Sequence, residues 1–177
     1  MANILAFAGS NSSTSINFKL VKYTISLLGD HRLQRMDMHN FPLPMFSEDY
    51  ERENGYSNSL MELRDDIQKS DGLIISVNEH NGNPSAYFKN LIDWLSRLER
   101  KFLADKKIFL MSTSNGKRGA VGSLEVIENL LPRFGATITA TFSLPSFKEN
   151  FNATQGILNA ELAEEFQTAL QDFLNNL

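Results

Sequence analysis

Cysteine is absent from this chain, which removes disulfides, thiolate nucleophiles and cysteine-ligated metal centres from consideration. A basic excess is missing too: 21 acidic residues stand against 17 basic ones, a formal net charge of −4. Nucleic acids and other polyanions are met by a basic stripe, so this balance lends such a partner no support. No apolar run comes near the roughly 20 residues needed to span a bilayer. The opening Met1-Ala2-Asn3 has no basic leader, and the Ile4–Ala8 run after it is too short for a signal peptide. A cytoplasmic protein with neither a membrane nor a nucleic-acid partner is the expectation.

What is present reads as one globular domain over 1–177, at 42% apolar and 21% charged residues. Strand-length apolar runs at Asn3–Ala8, Leu33–Met38, Gly72–Asn78, Lys107–Ser112 and Thr137–Phe142 alternate with helical patterns. The helices are expected near Thr14–Leu28, Ser57–Lys69, Pro84–Arg97, Val121–Phe134 and Asn159–Asn175. Phe88, Leu91, Ile92, Leu95 and Leu98 fall on one helical stripe, with Lys89, Asp93 and Arg97 turned away. Repeated strand–helix alternation predicts a parallel sheet joined by right-handed crossovers. The expected class is α/β, a flavodoxin-like three-layer sandwich with a five-stranded parallel sheet in order 2-1-3-4-5. Between Asn40 and Gly55 the chain reads as irregular, although Phe41, Leu43, Met45 and Phe46 argue against a disordered linker.

Three polar turns follow the first, third and fourth strand runs. They are Gly9-Ser10-Asn11-Ser12-Ser13-Thr14-Ser15, then Asn78-Glu79-His80-Asn81-Gly82-Asn83, then Ser112-Thr113-Ser114-Asn115-Gly116-Lys117-Arg118-Gly119. In open α/β sheets, ligands bind beyond the carboxyl ends of the strands where the strand order reverses. The first turn sets hydroxyls and backbone N–H groups at a helix start, an arrangement that suits a phosphate. Ser13 or Thr14 as a simple helix cap is the plainer alternative. In the second turn, Asn81-Gly82 suits a tight turn close to a planar ligand, and Pro84 suits the first turn of the following helix. The third offers backbone donors and two cations, Lys117 and Arg118, for the far edge of such a ligand. Known phosphate signatures are not met: Asn11 stands where a dinucleotide fingerprint needs glycine, and Arg118 where a P-loop needs serine or threonine.

These residues resemble the NADPH-dependent FMN reductase family, which includes quinone, azo-dye and chromate reductases. The family's first loop, Gly-Ser-x-Arg-x-x-Ser-x-Asn, is matched by Gly9, Ser10, Ser15 and Asn17, with Ser12 in place of the arginine. Its Pro-Glu-Tyr-Asn-Gly turn and Lys-Asn-x-x-Asp-Trp helix are matched by Glu79, Asn81, Gly82, Lys89, Asn90, Asp93 and Trp94. Asn78 stands there for proline and His80 for tyrosine. Gly116, Arg118 and Gly119 match the loop after the fourth strand.

The resemblance implies an FMN-dependent oxidoreductase taking hydride from NADPH or NADH and passing electrons to a small acceptor such as a quinone or free flavin. Ser10, Ser12, Ser15 and Asn17, with Gly9, would hold the phosphate. Asn78, Glu79, His80, Asn81 and Gly82 would line the ring, and Ser114, Asn115, Gly116, Arg118 and Gly119 would meet its far edge. No side-chain acid or base need be catalytic, because the cofactor carries the chemistry. Phe41–Tyr56 and Ser57–Lys69 carry Leu43, Met45, Phe46, Tyr50, Leu60, Leu63 and Ile67, more apolar surface than one crossover helix needs, which predicts self-association through this region or the neighbouring Pro84–Arg97; the resemblance likewise implies a dimer or tetramer. A flavodoxin-type electron carrier and an FMN-binding module without turnover are the alternatives.

Overall fold

A computed structural model of the chain describes all residues 1–177. Its main sheet contains β1 (Asn3–Ala8), β2 (Arg32–Met36), β3 (Gly72–Val77), β6 (Lys107–Thr113) and β7 (Thr137–Leu144). Two-residue strands β4 (Glu79–His80), β5 (Asn83–Pro84), β8 (Phe151–Asn152) and β9 (Gly156–Ile157) form two small antiparallel ribbons. The helices are α1 (Ile16–Ser26), α2 (Glu48–Asn54), α3 (Asn58–Lys69), α4 (Ala86–Leu98), α5 (Val121–Leu130), α6 (Phe147–Asn150) and α7 (Ala160–Asn175). The sheet runs β2-β1-β3-β6-β7 with every pairing parallel. This is the expected 2-1-3-4-5 order of a flavodoxin-like fold, with its switch point between β1 and β3.

Alternation along the central strands divides the apolar residues between two cores. Leu5 and Phe7 of β1, Leu73, Ile75 and Val77 of β3, and Ile108 and Leu110 of β6 face α3, α4 and α5. Ile4, Ala6, Ile74, Phe109 and Met111 face α1 and α7. A strand covered on both faces must be apolar at successive positions, and β3 is buried at every residue. Edge strand β2 is largely exposed and carries Arg32, Gln34 and Arg35, side chains that discourage pairing with another chain.

Several boundaries differ from expectation for local reasons. Helix α1 starts at Ile16 because Ser15, rather than Ser13 or Thr14, accepts from the Phe18 N–H as N-cap. Pro84 lies in the β4–β5 ribbon, not in the helix; Ser85 caps α4 by accepting from the Phe88 N–H. The stretch after Val121 is α-helical to Leu130 and continues as a 3₁₀ turn over Leu131–Phe134, where Pro132 cannot donate a helical hydrogen bond.

The 40–55 stretch is not irregular throughout, since Ser47 caps α2 inside it. Helix α4 pins this segment with one face. Tyr87 Oη donates to Phe41 O at 2.6 Å, Asn90 Nδ2 to Pro44 O at 2.9 Å and Trp94 Nε1 to the same carbonyl at 2.8 Å. Asn90 Oδ1 in turn accepts from the Phe46 N–H at 2.8 Å. Residues 87, 90 and 94 share a helix face, so a single apolar-polar stripe secures a loop lacking sheet partners of its own. The rings of Phe46, Tyr50 and Tyr56 stand edge-on around Trp94. Much of the apolar surface that suggested self-association is therefore used within the chain.

Candidate functional site

At the carboxyl ends of β1, β3 and β6, a cleft of about 350 Å³ opens at the switch point. Ser10, Ser12, Thr14, Ser15, Ile16 and Asn17 form one wall; Asn78, Glu79, His80, Thr113, Ser114 and Asn115 form the other. All three polar turns contribute to it.

The first turn is folded so that its hydroxyls accept hydrogen bonds from within; Ser10 and Ser15 keep their protons for something outside, while Ser12 Oγ and Thr14 Oγ1 share a bond at 3.3 Å. Ser10 Oγ accepts from the Ser12 N–H at 3.3 Å, Ser12 Oγ from the Thr14 N–H at 3.3 Å, and Ser15 Oγ from the Phe18 N–H at 3.1 Å. The N–H groups of Ile16 and Asn17, in the first turn of α1, meet no acceptor in the protein. Free donors at the positive end of a helix dipole make an anion site. Gly9 lies beneath them, its N–H on Ser76 O at 2.8 Å. A Cβ there would come within 2.8 Å of the Phe88 ring.

Asn17 has a more structural place than its motif suggests. It is 2% exposed. Its Oδ1 accepts from Ser76 Oγ at 2.7 Å and from the Thr113 N–H at 3.1 Å, while Nδ2 donates to Thr113 O at 3.1 Å. One amide thus ties the ends of β3 and β6 together under the cleft, leaving a single N–H to offer a ligand.

The second wall is fastened to α5. That helix begins at Ala120 in the left-handed region, with no cap from its own segment. Glu79 Oε2 supplies one from 44 residues away, accepting from the Ser123 N–H at 2.9 Å, and Ser123 Oγ donates to Asn78 O at 2.9 Å. A carboxylate at a helix N-terminus is stabilised by the dipole as well as by the bond. Asn81 and Gly82, with φ of 54° and 74°, form the two-residue turn between β4 and β5 and stand outside the cleft lining.

Asn78 Nδ2 lies 3.2 Å from His80 Nε2, and the Asn78 Oδ1 is buried without a partner. An orphaned buried acceptor costs about 1–3 kcal/mol.

The third turn divides. Ser114 and Asn115 line the cleft, whereas Gly116, Arg118 and Gly119 do not. Gly119 is a packing residue at φ 59°. A Cβ on it would lie 2.4 Å from Ser143 Oγ and 3.0 Å from the Leu144 carbonyl carbon, and its own carbonyl accepts from Ser112 Oγ and Ser143 Oγ. Gly116 O accepts from the Ser146 N–H at 2.9 Å, joining this turn to the segment after β7. Arg118 is exposed and has no carboxylate partner. Thr14, Ile16 and Thr113 line the cleft although the family pattern flagged only their neighbours.

A donor-rich helix start facing a polar wall across the switch point of a parallel sheet is the architecture of a flavodoxin-like α/β protein. The family model for NADPH-dependent FMN reductase matches residues 2–149, and the chain belongs to that family. The quinone reductase of Escherichia coli K12 is 34% identical over 77 residues, 44% of this chain and 41% of that protein. The NADPH:quinone oxidoreductase of Arabidopsis thaliana is 28% identical over 123 residues, 67% of this chain and 61% of that one. The chain thus matches between two-fifths and about three-fifths of the length of these relatives. Among solved structures, the flavoenzyme NAD(P)H:acceptor oxidoreductase FerB of Paracoccus denitrificans superposes with a TM-score of 0.80 at 23% identity, covering 99% of this chain and 96% of that one. The apo NADH:FMN oxidoreductase EMOB gives 0.79 at 19% identity, over 100% and 90% of the two chains. At these identities the structural likeness speaks for the fold.

Proposed function

We propose that the chain is an FMN-dependent NAD(P)H oxidoreductase that passes electrons to a small acceptor of the quinone or free-flavin type. The observation that carries this reading is the set of unpaired donors at the start of α1, facing the Asn78–His80 wall across the switch-point cleft. Family membership supports the same cofactor, and the quinone reductase activities for which the E. coli and Arabidopsis relatives are named support the acceptor class.

FMN, when bound, supplies the acceptance and release of a hydride equivalent. The protein's own part is to bind, orient and shield. Hydroxyls of Ser10, Ser12 and Ser15 and the N–H groups of Ile16 and Asn17 would hold the phosphate dianion. Asn78, His80, Ser114 and Asn115 would meet the ring system. Glu79 acts through α5, keeping the second wall in position rather than exchanging protons. FMN rather than FAD follows from a single compact nest.

Self-association belongs to the same proposal. Met45 and Tyr50, at 70% and 39% exposure, are the large apolar side chains of the 40–55 segment left facing solvent. Light scattering in the presence of FMN is expected to exceed the 20.0 kDa monomer mass.

The test of activity is direct. Apo-protein titrated with FMN should quench flavin fluorescence at one equivalent, and the bound flavin should bleach with NADPH or NADH under argon and recolour on adding a quinone. Absence of flavin binding at tens of micromolar sinks the reading. Binding without bleaching by either nucleotide leaves a carrier or binding module instead.

A further inference from the structure

The cleft described above is not the largest concavity on the molecule. A depression of about 440 Å³ lies between α1 and the segment following β7. One wall is α1, presenting Lys19, Lys22, Tyr23 and Ser26; the other carries Phe147 and Phe151. The two phenylalanine rings stack at 4.7 Å between centroids and 20° between planes, and Tyr23 meets Phe151 edge-on at 5.6 Å. The aromatic wall is built into the fold. Phe147 is buried, and Tyr23 lies so close to Gly156 that a Cβ there would fall 2.3 Å from its ring.

Two lysines on a helix ordinarily form a solvated face. Here the pattern departs from that in one respect: both lysines, neither of which has a carboxylate partner, border a concavity within the size range of small-molecule pockets. Lys22 Nζ rests 5.4 Å from the centre of the Phe18 ring, one turn earlier on α1. An aromatic wall selects a planar apolar body, and two unpaired cations select negative charge at its edge.

We propose that this depression is a second ligand site, distinct from the flavin cleft, that takes a planar aromatic anion. It sits close to the first. Lys19 lies one helical turn beyond Ser15, about 6 Å along the axis at 1.5 Å per residue. The Phe147 N–H donates to Ser114 O at 2.9 Å, so the aromatic wall hangs from the turn that closes the flavin cleft. A ring bearing an anion occurs in free aromatic acids and in the adenosine phosphate end of a nucleotide, and the chemistry of the site suits both.

The experiment is a calorimetric titration of the full chain with 1-naphthalenesulfonate, with and without saturating FMN. The expected result is one site with a Kd tighter than about 1 mM, retained when FMN fills the flavin cleft. Lys19→Glu/Lys22→Glu, at two exposed positions, should weaken it about tenfold or more while leaving the neutral analogue 1-naphthalenemethanol within about twofold. Ala153→Trp, which fills the mouth from the exposed turn between β8 and β9, should block both compounds. Competition by 2′-AMP assigns the site to a nucleotide, and its failure to compete assigns it to free aromatic acids. No saturable binding to the wild type, or affinity unchanged in either variant, overturns the proposal. The titration without FMN stands whether or not the flavin reading holds, so the two can fail separately.

Discussion

Replacing Asn17 by alanine should destabilise the fold far more than its position in a ligand-binding turn suggests. The side chain makes three hydrogen bonds, to Ser76 Oγ, the Thr113 N–H and Thr113 O, and all three partners are at most 1% exposed. Each bond contributes about 1 kcal/mol, and each group stranded without water costs about 1–3 kcal/mol, so a loss of about 3–5 kcal/mol is expected after partial relaxation. A domain of this size loses about 2–4 °C of Tm per kcal/mol, which puts the shift near 10 °C. Urea unfolding followed by circular dichroism in the absence of flavin measures it, with an unchanged m-value expected. Asn17→Asp is a sharper control. It keeps the shape and the two acceptor contacts but sets an oxygen against Thr113 O where an N–H now donates, so it should be at least as damaging as alanine. Asn115→Ala, at an exposed site in the same cleft, should change stability by less than about 0.5 kcal/mol. A loss under about 1 kcal/mol in Asn17→Ala would show that the amide does not hold β3 to β6, and its role would revert to ligand binding alone.

Gly119→Ala forces a Cβ into Ser143 Oγ and the Leu144–Pro145 backbone at a positive φ, and a loss of about 2–4 kcal/mol is expected in the same urea assay. Ser10→Ala removes one neutral donor from the nest and should weaken FMN binding about fivefold by fluorescence titration, with stability near wild type. Arg118→Ala, at an exposed residue outside the cleft lining, should keep FMN affinity within about threefold; a larger loss would bring the guanidinium into the site. Burial raises the Tyr87 hydroxyl above the ordinary tyrosine value of 10.0. The stability it contributes is therefore complete below about pH 10 and is lost as pH rises from there through the folded-state value, where the unfolded chain ionises first. Tyr87→Phe should flatten that alkaline decline while losing the bond to Phe41 O, as pH-dependent unfolding would show.

The sheet order and both cores were legible because they rest on short-range pattern. Six-residue apolar runs such as Gly72–Val77 and the Phe88–Leu95 stripe carry their periodicity in adjacent residues. The cleft was legible at the level of its turns, since Ser10, Ser12, Ser15, Asn78, Glu79, His80, Ser114 and Asn115 all reach it. What escaped depends on partners far apart in the chain. Asn17 finds Thr113 across 96 residues and Glu79 finds Ser123 across 44, and no local spacing encodes either meeting. Helix α2 escaped for a different reason. Its Glu48–Asn54 sequence has no buried residue, hence no stripe, and it is held by Arg97 bonding Glu51 from α4. Pro84 misled because its preference for a first helical turn is equally met one step earlier, in an extended segment whose N–H is not needed.

The ribbon that forms the second wall is held to α5 along its length. At its root, Asn78 and Glu79 are bolted to Ser123 by two hydrogen bonds of 2.9 Å. At its turn, the Gly82 carbonyl lies against Gly122 of the same helix, so closely that a Cβ on Gly122 would fall 3.2 Å from it and 2.8 Å from Glu79 Oε2. Only the outward side of Gly82, where a side chain would meet open space, is free. Mechanically, ribbon and helix form one plate. Displacing the wall means displacing α5, whose Leu124 and Ile127 are seated in the core. The width of the cleft is thus set from behind, by the packing of a helix, and Gly122 is the hinge pin: a methyl group there would wedge the plate apart without touching the cleft floor held by Asn17.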